Sequence, residues 1–383
     1  MKSLFNLLSV IALSAGLLSC GPKYIKPVEA SQKDFAISFF KEVCKDTPKG
    51  DNVVVSPYSA AVALSMLAEG AEGETKVEFD NVLGGILYRA EDLGGNDTVI
   101  VRSANSVWVD DDFSLRNRYV SLLERDFDAF ITTQDFSDPA TVKAINNWCL
   151  EHTSGKIGSI LDKLDPSMVM ILANALYFNA PWKDAFNAAL TSDKTFHGVS
   201  GNKKVPMMLK KDHFDYAEYE GLQIVCIPYA GDRYSMYVFL PPAGKDMDVL
   251  LSKVNGAMLD SASELMSPRE VVLTLPKFKA ETSMILNRPL MDMGLRTAFS
   301  GAADFRGIAE MGPLVLDMVK QKCFVELSEK GTEAAAVTVA QVRLTSARPE
   351  RTPEVMTVDR PFVFVIADSQ IKNILFAGKI VNL

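Results

Sequence analysis

The sequence predicts an α+β fold built as a single large domain. Helical periodicities crowd the first part of the chain and strand patterns dominate the rest, and no linker, low-complexity tract or internal repeat divides them. A third observation is local. Every second residue from Thr332 (Thr332, Ala334, Ala336, Thr338, Ala340, Val342) is small or apolar, whereas the positions between include Glu333, Gln341 and Arg343. That is the period-two pattern of a strand with one buried face. It runs straight into Thr345-Ser-Ala-Arg-Pro-Glu-Arg-Thr-Pro353, which is polar, charged and proline-bearing loop chemistry. The segment reads as one able to be either strand or loop.

The N-terminus stands apart from the fold. Lys2 precedes an apolar run from Leu4 to Leu18 that is short for a bilayer span and ends in Leu17-Leu-Ser-Cys20-Gly21. Residues 1–19 therefore read as an export signal. The ending resembles a bacterial lipobox, in which Cys20 becomes the lipid-modified first residue; the alternative is an ordinary signal peptide with an incidental cysteine. The expected location is the bacterial cell envelope, lipid-anchored on the periplasmic or surface side of the outer membrane, or the exterior. Residues 20–30 form a tether, and the domain occupies 31–383.

Ser31 opens a helix with Phe35, Phe39, Phe40 and Val43 on one face. Ser56-Pro57 starts a second, a hydroxyl cap followed by proline at the first helical position, which ends near Gly70. Gly73-Glu-Thr75 opens a third. Residues 99–109 alternate as a strand, and Asp138-Pro139 starts a helix through Asn146, Trp148 and Leu150 to Gly155. Met168 to Phe178 is apolar except for Asn174, the mark of a central strand buried on both faces. Further strands are expected near 213–219, 222–229, 233–240, 271–280, 315–327, 361–367 and 373–380, and helices near 246–255 and 283–293.

Composition narrows the function. The net charge is −8 and no dense Lys/Arg block exists, so nucleic acid is not an expected partner. Cys44, Cys149, Cys226 and Cys323 form no Cys-x-x-Cys pair, and His152, His197 and His213 are the only histidines. No metal site, disulfide framework or cofactor is called for, and these cysteines read as small buried hydrophobes. Ser38-Phe-Phe-Lys41 matches the Ser-x-x-Lys of penicillin-recognising enzymes, but no Ser-Asp-Asn or Lys-Thr-Gly follows. Gly-x-Ser-x-Gly and His-Glu-x-x-His are absent too, so the chain does not read as an enzyme.

Several motifs in order carry a resemblance. Asn52-Val-Val-Val-Ser-Pro-Tyr-Ser-Ala-Ala-Val-Ala-Leu-Ser-Met-Leu67 with Gly70-Ala-Glu-Gly-Glu-Thr75, Ala104-Asn-Ser-Val-Trp108, Ile145-Asn-Asn-Trp148 with Thr153-Ser-Gly-Lys-Ile157, and Leu172-Ala-Asn-Ala-Leu-Tyr-Phe178 with Trp182 resemble the serpins. So do Val205-Pro-Met-Met208, Leu273-Thr-Leu-Pro-Lys-Phe278, Asp304-Phe305 and Asp359-Arg-Pro-Phe-Val-Phe364, and the likeness covers about residue 31 to Leu383. It implies a serpin fold with three β-sheets, eight or nine helices and an exposed reactive loop at about 329–353. It implies a monomer that inhibits serine-type endopeptidases as a suicide substrate, trapping the acyl-enzyme when the cut loop enters the large sheet. The alternative is a non-inhibitory serpin acting as a binding or structural protein.

By that resemblance Glu329, Gly331, Thr332, Glu333, Ala334, Ala335, Ala336, Val337 and Thr338 form the hinge. Ser56, Ser59, Asn146 and Asn174 form a polar shutter that governs opening of the sheet. Many relatives place a histidine where this chain has Gln321, an amide that hydrogen-bonds but does not titrate. Sixteen residues on from Glu329 the reactive bond falls at Thr345-Ser346, while counting back from Pro361 points nearer Arg348 to Glu350. Threonine there implies an elastase-like or subtilisin-like protease with a small or permissive pocket. Arg343 and Arg348 leave trypsin-like enzymes open, and Leu344 chymotrypsin-like or papain-like ones.

Overall fold

Eight helices and fifteen strands are present among the described residues of the structure, a computed structural model that covers 32–89, 93, 99–153, 155–156, 158–310, 314–332, 352–369 and 373–383. The helices are α1 (Gln32–Asp46), α2 (Pro57–Gly70), α3 (Gly73–Val82), α4 (Asn117–Phe127), α5 (Pro139–His152), α6 (Met247–Lys253), α7 (Gly256–Leu265) and α8 (Asn287–Met293). The first strands are β1 (Val53–Val55), β2 (Ile100–Asp110), β3 (Phe130–Gln134), β4 (Met170–Pro181), β5 (Ser192–Gly198), β6 (Gly201–Tyr219), β7 (Leu222–Pro228) and β8 (Tyr234–Leu240). They are followed by β9 (Ser267–Pro276), β10 (Phe278–Ile285), β11 (Met318–Ser328), β12 (Gly331–Thr332), β13 (Glu354–Thr357), β14 (Phe362–Asp368) and β15 (Asn373–Ile380). No helix among the described residues is long and apolar enough to cross a membrane.

The strands hydrogen-bond into two arrays. A six-stranded sheet runs β10-β11-β12-β4-β2-β3, and a nine-stranded one runs β1-β15-β14-β8-β7-β6-β9-β13 with β5 paired to β6. Three sheets were expected from the family resemblance. Two appear because β6 is long enough to be shared: its first part pairs with β5, its middle with β9 and its end with β7.

The expected cap of α2 is present. Ser56 Oγ accepts the Ser59 amide at 3.2 Å, and Pro57 occupies the first turn. Every residue of α2 except Glu69 is buried, as a helix apolar on all sides must be to sit in the main core. Asp138 caps α5 by accepting the Ala140 amide at 2.8 Å. That helix lies on the outer face of the six-stranded sheet, where Ile145, Trp148 and Cys149 pack on Ala104, Trp108, Ile171, Ala173 and Ala175. The opposite face of β4, through Leu172, Leu176, Phe178 and Ala180, belongs to the main core. With one core on each side, β4 has no polar face, which explains an apolar run from Met168 to Phe178 interrupted only at Asn174.

Cys44, Cys149 and Cys323 are buried free thiols, as expected, whereas Cys226 is only half-buried. Burial pushes the thiols of Cys44 and Cys149 up to about 12, so both are protonated and poor nucleophiles at neutral pH.

Candidate functional site: a seam in the six-stranded sheet

β4 and β11 run parallel and side by side, with Met318 to Cys323 paired to Ile171 to Leu176. Beyond that stretch they part and admit β12, antiparallel to both. Thr332 lies between Leu327 and Ala180, and Gly331 between Ser328 and Pro181. The chain reaches this slot by reversing direction after β11 at Glu329 and Lys330. The sheet is thus closed along one part of the seam and already occupied by a first short length of strand in the other.

The reversal is held on every side. The Trp182 amide donates to Lys330 O at 2.8 Å, its indole Nε1 donates to Ser328 O at 3.0 Å, and the Phe186 amide donates to Glu329 O at 2.9 Å. Glu329 takes the Lys277 ammonium at 2.8 Å and the Thr191 hydroxyl at 2.9 Å. Burial pushes the Glu329 carboxyl up, but the Lys277 ammonium, its own backbone amide and the Thr191 hydroxyl outweigh it and hold the group below its ordinary value. Gly331 has φ +146, and a Cβ there would stand 2.2 Å from Ala180 O and 2.5 Å from Pro181 Cα. Only glycine fits. Thr332 is fully buried and its Oγ1 lies 2.6 Å from the Tyr229 hydroxyl, itself fully buried.

In the closed stretch a row of amides crosses three strands. Asn105 of β2 pairs in register with Asn174 of β4, and Asn174 with Gln321 of β11. Asn174 Nδ2 donates to Asn105 Oδ1 at 2.6 Å and to Ser59 O at 3.1 Å, and it also bonds Ser59 Oγ. Gln321 Nε2 donates to Asn174 Oδ1 at 2.8 Å and to Ser56 O at 3.0 Å, while Gln321 Oε1 accepts the Ser56 amide at 3.0 Å. All five residues are at most 2% exposed. This is a satisfied buried network that ties the start of α2 to both lips of the seam.

Of the predicted shutter residues, Ser56, Ser59 and Asn174 come together and Asn146 does not. Asn146, on α5, serves a different segment: its Oδ1 accepts the amides of Ile160 and Leu161 at 2.8 and 2.9 Å, and its Nδ2 donates to Leu161 O at 2.7 Å. Lys322 of β11 reaches the same segment through Ser159 O at 2.8 Å. Ile160, Leu161, Leu164 and Met168 pack with Met318 of β11 and Ile171 of β4, so the segment lies across the seam from outside. Asn146 therefore pins a strap over the joint instead of lining it.

Of the hinge, Glu329, Gly331 and Thr332 are placed as described above. Glu333, Ala334, Ala335, Ala336, Val337 and Thr338, the reactive-bond candidates Arg343, Leu344, Thr345, Ser346 and Arg348, and the lipidation site Cys20 lie outside the described residues. Sequence reasoning gave no role to Asn105, Tyr229, Lys277 or Thr191. Asn105 left a usable signal, an amide inside a buried strand like Asn174; the others meet the site only through the tertiary fold. Lys41, the lysine of the four-residue match in α1, donates to Ser252 O and Val254 O at 3.0 and 3.1 Å. Asp110, Asp111 and Asp135 come close enough to share a cation, but Asp110 and Asp135 accept the turn amides of Asp112, Phe136 and Ser137.

Comparison with known proteins bears on this geometry. The family model described as serpin (serine protease inhibitor) matches residues 30–383. An uncharacterized serpin-like protein of Thermococcus kodakarensis is 34% identical over 371 residues, 93% of this chain and 86% of that one. The leukocyte elastase inhibitor of Sus scrofa is 30% identical over 380 residues, 93% of this chain and 99% of that one. Among solved structures, the thermophilic serpin tengpin in its native state superposes with a TM-score of 0.84 at 30% identity, covering 92% of this chain and 93% of that one.

Proposed function

Because the chain belongs to the serpin family, we propose that it inhibits serine-type endopeptidases irreversibly, as a suicide substrate whose cut loop enters the seam between β4 and β11. Many members of that family inhibit serine proteases and are not enzymes, and among the relatives named above the Sus scrofa protein carries the name of an elastase inhibitor. The observation that carries the reading is the agreement of two registers. In the closed stretch Gln321 faces Asn174; across the slot Leu327 and Ala180 flank Thr332. Both pairings have the same offset, so β4 and β11 can admit a strand by separating, without sliding. Continuing the register from Thr332 brings Thr338 between Gln321 and Asn174, and Val342 opposite Met170.

The side chains of the entering segment suit that position. Thr332 already faces the main core, so by the two-residue period Ala334, Ala336, Thr338, Ala340 and Val342 would face it as well. None is charged, and a charge buried there would cost several kcal/mol. Thr338 is polar where the amide row would part, and its hydroxyl can both donate and accept between Gln321 and Asn174. The protease serine attacks the loop, its acyl-enzyme forms, and insertion of the freed strand carries the bound enzyme away before water releases it. The reactive bond is Thr345-Ser346 in this reading, and the target an elastase-like or subtilisin-like enzyme.

Incubation with such a protease should yield a covalent complex that survives boiling in detergent. Clean cleavage without that complex contradicts the reading, and the mass of the released C-terminal peptide identifies the reactive bond. The inhibitor acts outside the cytoplasm in this proposal, lipid-anchored through Cys20. Metabolic labelling with palmitate that disappears in Cys20→Ala tests this, and equal labelling of both forms rules it out.

One observation favours a second reading, a binder without inhibition. A cavity of about 50 Å³ lies between α1, α6, α7 and the nine-stranded sheet, walled by Phe40, Leu251, Met258, Val363 and similar residues with only Lys41 charged. Such a binder would take a thin apolar ligand. It would also leave the matched registers of the seam without a use, so the inhibitory reading stands first.

A further inference from the structure

We propose that the hydroxyl pair Thr332–Tyr229 is a register peg: it seats the first residue of the entering strand before the loop is cut and so fixes the alignment of all that follows. The proposal rests on the inhibitory reading above and deepens it. A strand entering a gap between two parallel neighbours meets backbone groups at every step, and a slip of one residue turns each side chain to the opposite face. For this segment a slip would send Glu333 and Arg343 toward the main core and turn Ala334, Ala336 and Ala340 away from it. Some feature at the point of entry has to exclude that alignment.

The slot supplies one. Tyr229 is immobilised: its ring stacks on Trp182 at 4.5 Å and 13°, and meets Phe178 edge-on at 5.0 Å. Its hydroxyl is buried, so it needs a partner, and Thr332 Oγ1 provides it at 2.6 Å. Moving the chain by one residue would put Gly331 or Glu333 there. Gly331 has no side chain to offer, and Glu333 would bring a carboxylate into the core. The Gly331 backbone, close against Ala180 and Pro181, limits movement from the other side. Tyr229 and Thr332 are thus positioning residues: they touch neither the protease nor the bond it cuts.

Hydroxyl and shape are separated by Thr332→Val, which keeps the volume and removes the bond, and Thr332→Ser, which keeps the hydroxyl. Tyr229→Phe removes the other partner with little change in packing. The fraction of cut inhibitor found in detergent-stable complex should fall roughly fivefold or more in Thr332→Val and in Tyr229→Phe, since a buried hydroxyl left unpaired shifts an equilibrium by that order. In Thr332→Ser it should stay within about twofold of wild type, a change that costs only tenths of a kcal/mol. The rate at which the protease cuts the loop should be the same in all four proteins, because the peg touches neither the protease nor the bond it cuts. Equal complex yield in wild type, Thr332→Val and Tyr229→Phe overturns the proposal.

If wild type itself gives no complex, the inhibitory reading fails, and the peg is decided separately in the uncut protein. Amide hydrogen exchange over 330–332 should be slow in wild type and Thr332→Ser and fast in Thr332→Val. Equal protection in all of them overturns the peg on its own terms.

Discussion

Asn174 is bonded on three sides, to Asn105, to Ser59 and to Gln321, so its side chain is where the seam is most sensitive. Asn174→Ala leaves the Asn105 carbonyl unpaired in a buried site and takes from Gln321 Nε2 one of its two acceptors, the other being Ser56 O. A loss of roughly 3 kcal/mol is expected in urea unfolding of the intact protein. Lys379 is the opposite case. Its side chain is 1% exposed, its Nζ has no hydrogen bond, and Asp248 Oδ1 is 3.9 Å away. Asp248 keeps Lys49 at 3.1 Å whatever occupies position 379. Lys379→Met should therefore raise the unfolding free energy by about 1 kcal/mol, since an apolar isostere removes a poorly paired buried charge. Glu329 sets a pH dependence. Its folded value lies below the reference of 4.5, so its contribution is full above that pH and is lost as the pH falls through the folded value. The stability gap between wild type and Glu329→Gln should thus shrink between pH 7 and pH 3 in thermal scans. Among these residues Asn174 was legible in the sequence, because an amide inside an apolar run announces a buried polar contact. Lys379 was not, because nothing local shows that its strand lies beneath α6.

The elements that sequence reasoning found are those with punctuation. Ser56-Pro57 and Asp138-Pro139 mark the starts of α2 and α5, and both caps are formed. It passed over α4, whose apolar residues Tyr119, Leu123 and Phe127 keep helical spacing, because Arg116 at its start makes no capping bond and it ends in the left-handed Asp128. A strand expected over 271–280 proved to be β9 and β10, which break after Pro276 and enter different sheets. The helix expected over 283–293 is correspondingly short, since β10 continues to Ile285. β12 was legible as an alternation but not as a placed strand, because its partners come from β11 and β4. Its geometry predicts the effect of Gly331→Ala. A methyl group that close to Ala180 O must expel β12 from the slot, and complex yield with a protease should drop about tenfold or more while loop cleavage continues. The strap pinned by Asn146 packs over β11 and β4 at the seam. Asn146→Ala should therefore increase hydrogen exchange over 158–161 while leaving the amides of α2 unchanged, and uniform loosening would show that the residue supports the whole fold instead.

At the scale of the molecule, the sheet holds two conditions side by side: a seam tied shut by amides and a slot already bearing two residues of the strand that fits it. Apolar cores cover both faces of β4, so a strand completing the seam would be buried on both sides and paired along its whole length. Over Met318 to Cys323 β11 pairs directly with β4, and the loop, while uncut, is tied at Pro353 to β13 in the other sheet. Cutting the loop removes the tie. The family and the parity of the entering segment were legible in the sequence; the agreement of the two registers was not, because it depends on strands about 150 residues apart in the chain. The measurement that tests this most directly is thermal unfolding of the intact protein beside the same protein cut once in the loop by a catalytic trace of protease. Insertion of about ten residues into the seam should raise the melting temperature by roughly 14 °C, as a gain near 10 kcal/mol would. A cut protein that melts at the same temperature as the intact one, or lower, would contradict the account.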